Sequence, residues 1–484
     1  MANWPCFRPS LRLARPTRSA VTGCLTACII CMVCISHLVC KGGKFTYDQQ
    51  TGEIAMDRQF VDITDVGQLW DMPLLNAPAD PEWDTHASKE PRIHRIHPYP
   101  AKFPAFLAER GISYARSIGV RVKTVGDIFC GCGTVAHEAR RLGLGFWGCD
   151  INPVATLIAR TKSADLCPLE FRSTLDLVMR RARRAKGDIQ LAPSARERLN
   201  RWFRPEQFAD LARILNAIRH VLPDPSPLQD AYLCTFSAVL KPCSQWQQRA
   251  IKPTLDGDKL PPDVFATFLK HALTVAQAIE EAGDLSHSPA AVVELGNALN
   301  VALPKRRVDL LVSSPPYVTS YEYADLHQLS SLFLGYADDH RQLRDGSIGS
   351  TQHDFRLAKG IRDLNRTATR TVFSLYEQDK RAAQSVANYF TDMQAIAGRA
   401  MRIVRPGGIA MFVIGNTQYR GVDVDNASHL TESLLCAGFR TVRATKRTIS
   451  NKAATPYRTP TGKFSRTKTS NHIYSHEYVL MAHR

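Results

Sequence analysis

Ser314, Pro315, Pro316 and Tyr317 follow the apolar run VDLLVS at residues 308–313, and their order suits one kind of chemistry. Two consecutive prolines stiffen the backbone and remove two N–H donors, so the neighbouring oxygens meet a ligand as acceptors only. The Ser314 oxygen and the Pro315 carbonyl can then accept both hydrogens of an exocyclic amine, turn its lone pair toward a methyl sulfonium, and leave Tyr317 to stack on the ring. The plain alternative is a proline-rich strand exit with a buried tyrosine.

A second constellation lies upstream, in TVGDIFCGCGTVAHEARRLGLGFWGCDINPVATLIARTK at residues 124–162. Its pattern predicts a strand over 124–129, a tight turn at Gly131 and Gly133, a helix over 135–142 and a strand over 146–149 ending on Asp150. Asn152 is a good N-cap and Pro153 suits the first helical position, so another helix follows. Glycines let backbone N–H groups approach a ligand, and a carboxylate about 20 residues on can take both ribose hydroxyls. Gly131, Gly133 and Ala136 also satisfy the dinucleotide fingerprint. Asp127 argues otherwise, because a carboxylate beside the turn repels a pyrophosphate and attracts the α-ammonium of S-adenosylmethionine; the bland reading is that it faces solvent or caps the turn.

The other elements must hold these two constellations. Residues 1–45 form a leader in which Arg8, Arg12, Arg15 and Arg18 precede a mostly apolar run over 20–40. Thr22, Thr26, Ser36 and His37 make that run a weak span. It is expected to be dispensable, with the working chain starting near Met56 and no membrane role. Residues 46–95 read as an N-terminal arm, 96–165 as the cofactor-binding half, and 166–290 as a basic helical insertion broken at Pro205, Pro223, Pro225 and Pro227. In that insertion Arg180, Arg181, Arg183, Arg184, Arg249 and Lys252 mingle with Trp202, Phe203 and Trp246, which suits phosphate contacts or a solvated face. Residues 291–425 read as the catalytic half, with a helix over 389–404 and a strand over 409–414. Residues 426–484 end in EYVLMAH, expected to be an edge strand. Within this last part Arg440, Arg443, Lys446, Arg447, Lys452, Arg458 and Lys463 occur without an acid among them, a segment expected to order on a phosphate backbone.

The motifs in order resemble the bacterial amino-methylating DNA methyltransferases, in particular the cytosine-N4 branch with its S-P-P-Y signature. The resemblance covers roughly residues 95–165 and 290–425. It implies that HPYPAKF (97–103), with Tyr99, Lys102 and Phe103, cups the methionine end of the cofactor. It likewise assigns DIFCGCGT (127–134), with Asp127, Phe129, Gly131, Gly133 and Thr134, to the glycine loop. Asp150 and Asn152 of CDINP become the ribose side, Asn297 of GNA the adenine side, and Ser314, Pro315, Pro316 and Tyr317 the catalytic turn. The fold implied is α/β, a Rossmann-like methyltransferase sheet that is mostly parallel with an antiparallel strand near the C-terminus, plus the helical insertion. S-adenosylmethionine is the cofactor implied, and double-stranded DNA, with a companion restriction endonuclease, the partners.

Composition agrees with such a partner. A net charge of +17 over 484 residues suits a polyanion. The thirteen cysteines form no disulfide framework, the spacing of Cys28, Cys31 and Cys34 finds no matching set later, and a metal site is not expected. Cys130 and Cys132 read as small apolar fillers, and the compartment as cytoplasmic. Pro242-Cys243 resembles the nucleophile motif of carbon-5 methylation but has no Glu-Asn-Val partner. Three alternatives remain: adenine-N6 methylation, a nicotinamide-dependent oxidoreductase, and a non-catalytic DNA-binding protein.

Overall fold

The computed structural model describes residues 60–71, 74–84, 90–100, 102–250, 252–318, 323–349, 361–449 and 476–484, with short strands at 45–47, 54–56, 457–458 and 464–465. The chain divides into a unit of residues 1–59 and a unit of residues 60–484. In the first, β1 (Phe45–Tyr47) and β2 (Ile54–Met56) form an antiparallel hairpin. The apolar run over 20–40 lies outside the described residues. No described helix is long and apolar enough to cross a membrane.

The second unit is built on β3 (Val61–Ile63), β4 (Thr124–Asp127), β5 (Gly145–Asp150), β6 (Val292–Leu295), β7 (Val308–Ser313) and β8 (Val404–Ile414). A hairpin of β9 (Thr417–Tyr419) and β10 (Val422–Val424) follows, then β11 (Thr441–Thr448), the small pair β12 (Tyr457–Arg458) and β13 (Phe464–Ser465), and β14 (His476–His483). Eight of these strands form one sheet in the order β3-β11-β14-β8-β7-β4-β5-β6. From β8 to β6 every pairing is parallel. The remaining three pairings, β8–β14, β14–β11 and β11–β3, are antiparallel. This is the mostly parallel α/β sheet expected. β14, however, lies between β8 and β11 instead of at an edge. Its run Tyr478–Ala482 is buried residue by residue, which needs partners on both sides.

β7 is buried along its whole length, as a central parallel strand should be. Helix Pro153–Ser163 starts where Asn152 caps it, Oδ1 accepting from Val154 N at 3.0 Å, with Pro153 in the first turn. Such a cap contributes about 1 kcal/mol. Three stretches of the sequence begin or end elsewhere than their pattern suggests. Helix Lys380–Ile403 starts well before residue 389 because Asp379 caps it, β8 takes in the glycine turn at 406–408, and β4 ends at Asp127, before Phe129.

Residues 166–290 form five helices, Pro168–Ala182, Pro193–Asn200, Pro205–Val221, Pro227–Leu240 and Val264–Ala282. Pro205 and Pro227 open helices at positions where a missing N–H costs nothing, instead of breaking them. The apolar faces share one core with the cofactor half: Phe171, Leu175, Tyr232 and Phe236 pack in the same cluster as Ile93, Val154, Leu157 and Ile158. Trp202 and Phe203, expected among the basic residues, are both about 3% exposed, and Trp202 stacks on Trp246 at 5.2 Å. These aromatics build the core and offer no face to a nucleotide.

Candidate active site

Four parallel strand ends define the site. Asp127 ends β4, Asp150 ends β5, Asn297 follows β6, and Ser314 to Tyr317 follow β7. Because β7, β4, β5 and β6 are consecutive neighbours, these residues line one rim at the carboxyl edge, where open α/β sheets bind ligands.

The glycine loop is positioned by backbone geometry. Gly131 has φ +49° and its N–H donates to Asp150 Oδ2 at 2.8 Å. Gly133 has φ +74°, and a Cβ there would lie 2.5 Å from the Cα of Ala159, so only glycine lets the two helices approach this closely. Thr134, the first residue of helix Thr134–Arg141, is buried, and its Oγ1 finds no hydrogen-bond partner among the described residues. Cys130 and Cys132 are buried fillers, as expected. Cys132 Sγ additionally accepts from the buried Lys162 Nζ at 3.2 Å.

Two carboxylates share this rim. Asp127 is 3% exposed; its Oδ1 accepts from Phe129 N at 3.0 Å and from Ser313 Oγ at 2.6 Å. Burial, with repulsion from Asp150 added, outweighs these donors and pushes its pKa up to about 7. Asp127 therefore does not face solvent, but it does cap the turn after β4 through Phe129 N, the other half of the bland alternative. Asp150 Oδ1 accepts from Asn152 N at 2.9 Å, and desolvation raises its pKa against the pull of Asn152 and Gly131 N–H. Phe129 packs partly buried beside β7 and β8.

The HPYPAKF segment meets the loop from outside the sheet. Tyr99 lies over Gly131, whose Cβ would be 3.6 Å from the ring, and stacks on His327 at 5.1 Å. His327 Nδ1 in turn pairs with Asn152 Nδ2 at 3.0 Å. Nothing in the sequence marks His327, which the fold brings to Asn152 from 175 residues away. Lys102 commits its ammonium to Glu90 Oε2 at 2.6 Å and His94 O at 2.9 Å, so it pins the segment instead of reaching into the loop. Phe103 packs partly buried against the sheet. Asn297 donates to Gly346 O at 2.8 Å and accepts from Leu299 N, which holds residues near 346 against the end of β6.

Beside the loop, His94 Nε2 pairs with Glu138 Oε1 at 2.7 Å, and His137 stacks edge-on at 5.1 Å. Burial lowers His94 to about 3 and His137 to about 4, so both rings are neutral. Arg141 Nε donates to the other Glu138 oxygen at 2.8 Å. The cluster fastens residues 92–95 to the helix of the glycine loop.

In the turn after β7, Ser314 donates its hydroxyl proton to Val413 O at 2.9 Å. With its proton so committed, the Ser314 oxygen can act toward another group only as an acceptor. Pro315 is buried, Pro316 and Tyr317 are half-buried, and Tyr317 donates to Glu477 Oε1 at 3.0 Å. Cys243 is fully buried with its thiol pushed up to about 11, no nucleophile for carbon-5 chemistry.

The chain is similar to several known proteins. A family model described as DNA methylase, of the N6/N4 type, matches residues 44–160. Type II methyltransferase M.MvaI of Kocuria varians is 24% identical over 401 residues, 76% of this chain and 87% of that protein. Type II methyltransferase M.BsoBI of Geobacillus stearothermophilus is 23% identical over 438 residues, 78% and 83%. These matches support an amino-methylating DNA methyltransferase. The rRNA methyltransferase aviRa from Streptomyces viridochromogenes covers 81% of this chain and 89% of its own at 11% identity, with a TM-score of 0.27 too low to carry weight.

The basic residues expected to meet DNA divide sharply. Arg249 and Lys252 are exposed on the loop after Trp246, and Arg440 is exposed before β11. Arg443, Lys446 and Arg447 lie in β11, an interior strand of the eight-stranded sheet, so this part of the basic stretch is ordered by strand pairing and not by a phosphate backbone. Arg443 pairs with Asp62 at 2.6 Å, Lys446 Nζ donates to Leu75 O, and Arg447 is 5% exposed and bonded to Trp83 O and Glu477. A guanidinium so enclosed cannot reach a phosphate, and Arg447 is thereby a structural residue. Lys452 and Lys463 lie outside the described residues, and of Arg458 only the backbone in β12 is described.

Proposed function

We propose that the chain is a site-specific DNA methyltransferase that moves a methyl group from S-adenosylmethionine to the exocyclic N4 amine of cytosine. The observation that carries this is the Ser313–Asp127 hydrogen bond, which joins the base-binding turn to the cofactor loop at adjacent strand ends. The residues fit the cofactor on three further counts. Asp127 is a buried carboxylate suited to an α-ammonium, Asp150 is aligned by Gly131 N–H toward a ribose, and the Thr134 hydroxyl is buried beside the loop without a partner.

When bound, the sulfonium would supply the electrophilic methyl group: its S–methyl bond would break as the amine nitrogen bonds that carbon, the thioether would leave, and the nitrogen would lose one proton to water. The chain's own residues do the positioning. A paired cytosine cannot present its amine in the stack, so the base must be flipped into the rim. Ser314 Oγ and the Pro315 carbonyl accept the amine's two hydrogens, which turns the nitrogen lone pair outward, and Tyr317 stacks on the ring. Serine at the head of the turn, in place of aspartate or asparagine, favours cytosine over adenine. Exposed Arg249, Lys252 and Arg440, together with Lys452, Arg458 and Lys463, serve the phosphate backbone. The reading extends to the modification half of a restriction–modification pair, acting on double-stranded DNA in the cytoplasm beside a companion endonuclease; both relatives bear the name Type II methyltransferase.

The deciding experiment incubates the protein with DNA and methyl-labelled S-adenosylmethionine, digests the DNA to nucleosides and identifies the labelled one by mass spectrometry. N4-methylcytosine is expected. Labelled N6-methyladenine would move the enzyme to the adenine branch, and unlabelled DNA would overturn the assignment.

A further inference from the structure

Tyr317 is held from two sides. Its hydroxyl donates to Glu477 Oε1 at 3.0 Å, while the other oxygen, Oε2, accepts from Arg447 Nη1 at 2.6 Å. Glu477 and Arg447 are direct partners in the β14–β11 register. Arg447 spends its remaining donors on backbone: Nε on Trp83 O at 2.8 Å and Nη2 on Asp84 O at 3.0 Å. Side-chain exposure is 6% for Arg447 and 14% for Glu477. At the ring itself, a Cβ on Gly415 would come within 3.1 Å of Tyr317 Cε2, so the phenol lies flush against the backbone just past β8.

This chain of contacts has a purpose beyond packing. A tyrosine at the rim of a site rotates about its side-chain bonds unless its far end is tethered, and a stacking surface helps catalysis only if its plane is set before the base arrives. A hydrogen bond to an ionised carboxylate is the stronger kind of tether. A carboxylate in this position would itself swing toward water, and Arg447, fixed by two carbonyls, prevents that. The two oxygens of Glu477 are thus divided, one for the phenol and one for the guanidinium.

We infer that Glu477 is a positioning residue for methyl transfer: through the Tyr317 hydroxyl it sets the plane of the ring that receives the target base, and Arg447 sets Glu477. The inference rests on Tyr317 being the base-stacking residue. It also gives the C-terminal strands, which carry no recognisable motif, a direct part in the reaction.

A double-mutant cycle tests it, using the full chain, duplex DNA and labelled cofactor under single-turnover conditions. Y317F keeps the ring and removes the tether, and E477A removes the acceptor. Each is expected to slow methyl transfer about tenfold while the dissociation constant for S-adenosylmethionine stays within about twofold of wild type. The Y317F/E477A pair should be no slower than either alone, because both substitutions cut the same link. E477Q, which retains an acceptor, should fall between wild type and E477A, and it replaces E477A in the cycle if that variant does not fold. Multiplicative losses, a wild-type rate in Y317F, or a parallel loss of cofactor binding would each overturn the inference. The wild-type control separates the two claims: an active wild type with multiplicative losses removes the role of Glu477 alone, whereas a wild type that labels no DNA removes the assigned function and this inference with it.

Discussion

Ser313 donates its hydroxyl proton to Asp127 Oδ1 across 2.6 Å, a bond between residues 186 apart in sequence. It joins the end of β7 to the end of β4, so the Ser314–Tyr317 turn and the glycine loop cannot shift independently. The same bond opposes the burial that drives the Asp127 pKa to about 7.

A pH dependence follows, with a definite sign. The carboxyl of Asp127 has a folded pKa above its unfolded value of 3.8, so its favourable contribution is complete below about pH 4 and is lost as pH rises through about 7. D127N has no charge to bury. Its stability relative to wild type should rise between about pH 4 and 7 by roughly 1.4 kcal/mol per unit and then level off, to a total on the order of 4 kcal/mol. Denaturant unfolding at several pH values measures this. Affinity for S-adenosylmethionine should rise through about pH 7 in wild type, as Asp127 ionises, and stay flat in D127N.

Gly133→Ala should damage both fold and cofactor binding. The added methyl would meet the Ala159 backbone at 2.5 Å, and φ of +74° is itself unfavourable for alanine. A loss of at least about 2 kcal/mol is expected in thermal or denaturant unfolding. A variant as stable as wild type would show that the two helices can move apart.

Thr134→Val separates a ligand contact from a structural one. Since Thr134 Oγ1 has no hydrogen-bond partner among the described residues, removing it should leave the melting temperature unchanged or raised. If the hydroxyl meets the cofactor, affinity for S-adenosylmethionine should fall about fivefold, the equivalent of one hydrogen bond near 1 kcal/mol. Calorimetric titration reads it.

The basic residues should sort into two kinds. Arg447→Ala strands Glu477 in a nearly closed site and should destabilise the protein by about 3 kcal/mol. R249A and K252A should leave the unfolding midpoint unchanged, weaken DNA binding to all sequences alike, and each reduce the slope of log affinity against log salt by about one. A salt slope unaltered in both would exclude their loop from the DNA interface.

Much of the site was legible because local rules fix it. Asn152 and Pro153 announce a helix start, Gly131 and Gly133 a turn with positive φ, and the run from Val308 an enclosed strand; none of these depends on distant residues. What sequence could not supply are the long-range partners. His327 under Tyr99 and Glu477 at Tyr317 come from strands and helices brought together only by the sheet. The basic run after Arg440 misleads for the same reason. Charge density alone describes a solvated segment, yet Val442, Ala444 and Thr445 are buried between Arg443 and Lys446 in a strand whose charged side chains find Asp62 and a backbone carbonyl.

The placement of β3 against β11 has a kinetic consequence. Val61 to Ile63 pair with Val442 to Ala444, so an early segment must wait for a very late one before it has any hydrogen-bond ladder. Loop closure over that span is entropically slow, whereas neighbouring strands β4 and β5 need only their short helical crossover. Refolding should therefore proceed outward from the cofactor end, and the far edge of the sheet should be the last part to resist amide exchange.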